Sequence, residues 1–296
     1  MTGLATLAAA AALVLPQSSS DPSPVVLPDI VVQSTPVETQ AKAFVAAVSA
    51  PFPQATLARW NQAICPVVIN LERGLSSIIS DRVRDEARSL RVRVGDGACR
   101  ANVIIVATDA ADLTAQGLVR DDFRSFHPGD SGTDLGRSAL RRFENSDAAV
   151  RWWHVAMPVS DDTGKLAIAL DGEAPPVVAD RVVTRLRANI RYDMAWVIIV
   201  IDVTKTAQVP ASSLADYIAM VALAQIDPQA DFTAHDTVLN LFAPGAAFHG
   251  MTEWDHSYLS VLYDADANAA NFASQKDDME RSLADGLRRR RSLEEE

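Results

Sequence analysis

The sequence predicts an α/β (α+β) domain: a mixed sheet covered by helices, with a helical C-terminus. Three observations carry this. The runs at residues 101–107 and 194–203 are short, apolar and largely β-branched, as strands buried on both faces are. Between Leu71 and Leu90 apolar residues recur in steps of three and four, with Arg, Asp and Glu between them, which is the period of an amphipathic helix. The last third is dominated by further helical patterns, without internal repeats. Strands that alternate with amphipathic helices argue for a sheet with helices on its faces.

Taken in order, residues 4–15 form an unbroken weakly apolar run of Ala and Leu ending at Pro16. As a helix it would span about 18 Å, too short for a bilayer core and suited to a signal peptide over residues 1–20. No Lys or Arg precedes it, so the positive charge ahead of the run is the α-amino group alone. Residues 21–39, with prolines at 22, 24, 28 and 36, read as a Pro/Ser-rich linker. Val25-Val26-Leu27 and Ile30-Val31-Val32 are candidate short edge strands inside it. A domain is expected over 40–265, and a C-terminal helix with a charged tail over 266–296.

Within the domain, Ala41, Phe44, Val45 and Val48 sit at helical spacing before Pro51 and Pro53. A short apolar run, 64–69, precedes the long amphipathic helix. Gly95-Asp96-Gly97 is a turn leading to the first buried strand. Residues 108–150 are expected to hold one or two helices with exposed loops, and Arg151-Trp152-Trp153-His154-Val155 an edge strand. Asp161-Asp162-Thr163-Gly164 is a turn, Pro175-Pro176 a break, and 194–203 the second buried strand. Helices are expected over 214–224, 253–263 and 267–291. Thr252 and Asp255 have the spacing of a capping box.

Composition limits partners and compartment. The chain of 296 residues is 48% apolar and 22% charged, with a net charge of −11, ordinary for a packed globular protein. An acidic surface disfavours contact with phosphate backbones and anionic lipid, so no nucleic-acid partner is expected, and the shortness of the 4–15 run predicts no stable membrane span. Cys65 and Cys99 are the two cysteines. An even count in an exported chain favours a structural disulfide over two free thiols. Together with the signal run this predicts a periplasmic or secreted protein.

Chemistry-bearing motifs are sparse. There is no G-x-S-x-G, no Walker loop and no G-x-G-x-x-G after a strand. The five histidines, His127, His154, His235, His249 and His256, show no ligand spacing and read as loop and surface residues. A displaced metal site from His235, His249 and His256 with Asp216 or Asp255 is the alternative. Arg288 to Arg291 complement a helix dipole, with a docking tail as the other reading.

The order of pieces from 194 to 264 resembles the end of a zincin, matrixin-like metallopeptidase domain. The strand MAWVIIVIDV is followed by the helix Leu214-Ala215-Asp216-Tyr217-Ile218-Ala219-Met220-Val221-Ala222-Leu223-Ala224-Gln225. Next come the turn Thr237-Val238-Leu239-Asn240 and a last piece matching the final helix, Met251-Thr252-Glu253-Trp254-Asp255-His256-Ser257-Tyr258-Leu259-Ser260-Val261-Leu262-Tyr263. The resemblance implies that three zinc ligands and a general-base glutamate would fall at Ala215, Ala219, Gln225 and Asp216. Two alanines and a glutamine cannot supply the donors zinc needs. The Arg59-Trp60 entry, the Ala101-Asn102-Val103 strand and the Leu214-Ala215-Asp216-Tyr217 helix are similar to those of a group of uncharacterised bacterial exported proteins with this zincin-like shape and no zinc-binding histidines. What the resemblance implies is a scaffold with no catalytic residues, no metal and no cofactor, which binds a peptide, a partner or an envelope component. The alternative is a hydrolase with an atypical site. A cleft along an edge strand would take an extended peptide by strand addition.

Overall fold

The computed structural model describes residues 35–129, 132–168, 187–246 and 249–294. The signal run, the candidate strands at 25–27 and 30–32, and Pro175-Pro176 lie outside these residues. The linker reading over 21–39 is corrected at its end, because helix α1 (Val37–Val48) starts directly after Pro36. A proline there loses nothing, since the first N–H groups of a helix have no intrahelical acceptor. Ala41, Phe44, Val45 and Val48, the four residues of the expected stripe, are the buried ones.

The chain continues as β1 (Pro66–Ile69), α2 (Arg73–Ser89), β2 (Val103–Thr108), α3 (Ala111–Asp121), α4 (Phe123–Phe126) and α5 (Gly136–Glu144). Then come β3 (Val150–Ser160), β4 (Ile190–Asp202), α6 (Val203–Thr206), α7 (Ala211–Leu223), a 3₁₀ turn (Val238–Asn240), α8 (Glu253–Asp264) and α9 (Phe272–Glu294). The four strands form one mixed sheet in the order β1-β2-β4-β3. β1, β2 and β4 are mutually parallel, with Pro66 opposite Val103 and Val103 opposite Val197, and β3 is the antiparallel edge. The two apolar runs are therefore the central strands, as their lack of alternation requires.

Helices cover both faces. Val103, Ile105, Trp152, Val197 and Ile199 face a large core shared with α1, α2, α7, α8 and α9. Trp153, Val155, Ile198 and Val200 face a smaller core with α3, α4 and α5. From Thr35 onward the described residues form one compact unit, so α9 is a core helix of the domain, burying Met279, Leu283, Ala284 and Leu287. In its basic end, Arg288 pairs with Glu38 and Asp285, and Arg290 with Glu253.

The Cys65–Cys99 disulfide is present, with Cα atoms 6.0 Å apart. It ties together the entries to the neighbouring strands β1 and β2. Gly95 is required there, because a Cβ would sit 2.5 Å from the Cys99 Cβ. Among the described residues no helix is long and apolar enough to cross a membrane.

The long amphipathic helix differs from its sequence pattern by a rotation. Ile79, Ser80, Val83, Glu86 and Ala87 are buried, whereas Leu75 and Ile78 are 39% and 45% exposed. The buried side of α2 is the one that meets α7, and it carries a carboxylate and a hydroxyl in place of two of the expected apolar residues.

Candidate functional site

α7 lies at the centre of the helical layer. From Ser213 to Ile226 every residue is buried except Asp216. A helix apolar on all sides belongs in a core, and Ala215, Ala219, Ala222 and Ala224 let its neighbours approach closely. Ala215 and Ala219 are 1% and 0% exposed. Beside them Tyr217 stacks edge-on between Trp152 of β3 and Phe242, with ring centroids 6.1 and 5.1 Å away.

The buried C-terminal end of α7 closes with one last helical bond and leaves three carbonyls to other donors. Met220 O accepts from Ala224 N, and Val221 O from His154 Nε2 at 2.7 Å. Ala222 O accepts from Trp60 Nε1 at 2.8 Å, and Leu223 O from the Tyr263 hydroxyl at 2.9 Å. Burial holds His154 down at about 4 despite its bond to Val221, so it is a neutral donor. The reading of the histidines as surface residues is therefore corrected for His154, which caps a helix from inside the core.

Gln225 follows directly and is 1% exposed. Its Oε1 accepts from Ala58 N, its backbone carbonyl accepts from Ala50 N, and its Nε2 has no partner among the described residues. It fastens the 50–58 segment to the end of α7.

Asp216 is engaged on both oxygens. Oδ1 accepts from Arg82 Nε, and Oδ2 accepts from the Met251 amide at 2.9 Å. Gly250 is needed for this, because a Cβ there would run into Oδ2. Arg82 also lies 3.4 Å from Glu86, one helical turn on, and 3.6 Å from the Met251 sulfur. Glu86, 4% exposed, accepts from His256 Nδ1 at 3.1 Å and from the Ser89 hydroxyl. Burial would push the Glu86 carboxyl up, but His256 and Arg82 outweigh it and hold it below its usual range. The same contact raises His256. Asp216, Arg82, Glu86 and His256 thus form one charge chain linking α7, α2 and α8.

The capping box at the start of α8 is present, Thr252 Oγ1 accepting from Asp255 N at 3.2 Å. Asp255 is fully buried, and burial raises its pKa against four hydrogen bonds. It accepts from Thr237 Oγ1 and Val238 N as well as from Thr252, so it holds the turn onto α8.

The three C-terminal histidines are not brought together. His256 faces Glu86, His235 packs edge-on against Phe44 at 5.5 Å, and His249 lies in an exposed loop. Among the described residues no three His, Cys, Asp or Glu side chains are placed to hold a metal ion, so the displaced metal site finds no ligand set there. The β3 edge also differs from expectation. Ala156 N donates to Thr133 O, Ser160 N to Lys165 O, and Ala167 N to Pro158 O. Part of that edge is thus taken by the chain itself. Beside Val150–Trp153 a slot of about 20 Å³ lies between α5 and Pro228, room for one water.

The sequence pointed to Asp216 but missed Arg82 and Glu86, and it carried Trp60 and Tyr263 only as parts of the resemblance. The signal for the first two was the i,i+4 Arg-Glu spacing flanking an apolar stripe, which also describes an ordinary solvated face. No protein-family model, curated protein or solved structure matches the chain.

Proposed function

We propose that the protein is a non-catalytic, peptidase-like scaffold, exported to the cell envelope, that binds a peptide. One observation carries the reading: the carboxylate at the base position, Asp216, is neutralised by Arg82 and the Met251 amide. A general base must reach the proton it takes, directly or through one water, and both oxygens here already accept from protein. Ala215 and Ala219 offer no donor atom, and Gln225 is committed to Ala58. Support for the peptidase-like plan is the parallel β1-β2-β4 set with an antiparallel edge, followed by the central helix and the capped last helix. Support for export is the disulfide, a bond that persists in oxidising compartments.

The test is metal content and peptide turnover of the purified full chain after incubation with zinc and dialysis. Substoichiometric zinc, with a random peptide library left intact by mass spectrometry, is the expected outcome. Zinc near one per chain, or cleavage that a chelator abolishes, would overturn the reading.

A further inference from the structure

A second groove, away from α7, has the chemistry of a ligand site. It runs along the seam of α8 and α9 and encloses about 270 Å³. The helices are antiparallel there: Glu253, at the start of α8, pairs with Arg290 near the end of α9 at 3.7 Å, while Asp264 and Asp278 line the opposite end. On the floor, Ser257 is 2% exposed and its hydroxyl has no hydrogen-bond partner among the described residues. A helical serine ordinarily bonds the carbonyl one turn back, and a buried hydroxyl without a partner is costly. Arg289 makes no side-chain hydrogen bond or ion pair among the described residues. Ser260 and Ser282 line the walls, and Gly286 leaves open space where a Cβ would stand.

The groove is basic at one end, acidic at the other and hydroxyl-lined between. Two arginines and two aspartates cancel, which disfavours a polyanion or a bare divalent cation and suits a zwitterion. On α9 the eleven steps from Asp278 to Arg289 rise about 16 Å, and on α8 the path from Glu253, which pairs with Arg290, to Asp264 is as long. An extended peptide advances about 3.3 Å per residue, so four or five residues, met by the reaching arginine side chains, place an ammonium and a carboxylate at that separation. The rim charges are available, because Arg290–Glu253, Asp264–Arg91 at 4.0 Å and Asp278–Arg281 are exposed pairs of the kind that contribute little.

The geometry points to this groove as the binding site for a short free peptide with small side chains. Its carboxylate lies at Arg289 and Arg290, its ammonium at Asp264 and Asp278, and a peptide carbonyl accepts from Ser257 Oγ. This rests on the reading of the chain as a non-catalytic peptide binder.

The test is calorimetric titration of the full chain with tetra- and penta-L-alanine, against the N-acetylated and C-amidated forms. Free peptides are expected to bind, with each blocked form weaker by about tenfold, as loss of one charge-assisted bond implies. Ser257→Ala should weaken the free peptide about fivefold. Arg289→Gln, at an exposed position that leaves the fold intact, should erase the acid-over-amide preference and leave the amine-over-acetyl preference unchanged. No binding, or equal binding of free and blocked peptides, overturns the site while leaving the scaffold reading standing. Cleavage of the peptides would instead overturn the scaffold reading.

Discussion

Asp216→Ala is the perturbation that most directly tests how the central helix is neutralised. The substitution removes the acceptor of Arg82 Nε and of the Met251 amide. A hydrogen bond to a charged group contributes about 1.5–3 kcal/mol, and a buried amide left unpaired costs about 1–3 kcal/mol. The Arg82 side chain is 30% exposed and that of Asp216 17%, so solvent screens part of the charge term, and a total loss of about 2–3 kcal/mol is expected. Asp216→Asn keeps an acceptor for Met251 and should lose about half as much, roughly 1–1.5 kcal/mol. Arg82→Met keeps the aliphatic stem packed and should cost about 1–2 kcal/mol. The double variant must cost less than the sum, with a coupling of about 1 kcal/mol or more. The assay is urea unfolding followed by tryptophan fluorescence, with the denaturant slope checked for constancy. Additivity within about 0.3 kcal/mol would refute the pairing and leave Asp216 free to handle a water proton.

Three further outcomes follow from particular contacts. His154 is held at about 4 by burial and titrates near 6.5 when unfolded. Between those values the unfolded chain binds the extra proton, so stability falls as pH drops from 6.5 to 4, by about 3 kcal/mol; His154→Gln should flatten that limb, and an unchanged slope would refute the assignment. Gly250→Ala places a Cβ against Asp216 Oδ2 and should cost about 1–3 kcal/mol in thermal unfolding, a cost that Asp216→Ala should relieve. Replacing Cys65 and Cys99 with serine frees the entries of β1 and β2 and should cost about 2–4 kcal/mol, read as a lower urea midpoint that no longer responds to reductant.

The strands were legible because runs such as Val103-Ile104-Ile105-Val106 carry little besides β-branched apolar residues, and only a central strand buries both faces. α1 and the cap of α8 were legible for equally local reasons, a stripe at i, i+3, i+4 and i+7 and a Thr-x-x-Asp spacing. The register of α2 was not. Its apolar residues spread over more than one face, and the face chosen was decided by α7, whose Asp216 draws Arg82 and whose packing encloses Glu86. The interior role of His154 was hidden for the same kind of reason. A carbonyl of α7 needs its N–H, and the sheet brings the two together across 67 residues of sequence.

The same contacts limit what installing the zinc ligands implied by the proposed peptidase-like reading can do. Ala215→His, Ala219→His and Gln225→His, combined with Asp216→Glu, would recreate a donor set on paper. Ala215 and Ala219 are 1% and 0% exposed, and overpacking a filled core costs about 1–3 kcal/mol per site. Gln225→His also gives up the acceptor of Ala58 N. Arg82 would still stand beside position 216 as a fixed cation, repelling a metal and occupying the carboxylate that should hold a water. The quadruple variant is therefore expected to be destabilised and to bind no zinc in dialysis, and adding Arg82→Met should recover part of any metal affinity. Stoichiometric zinc in the quadruple variant with Arg82 intact would show that the guanidinium does not close the site, and the account of Asp216 as a neutralised residue would fail with it.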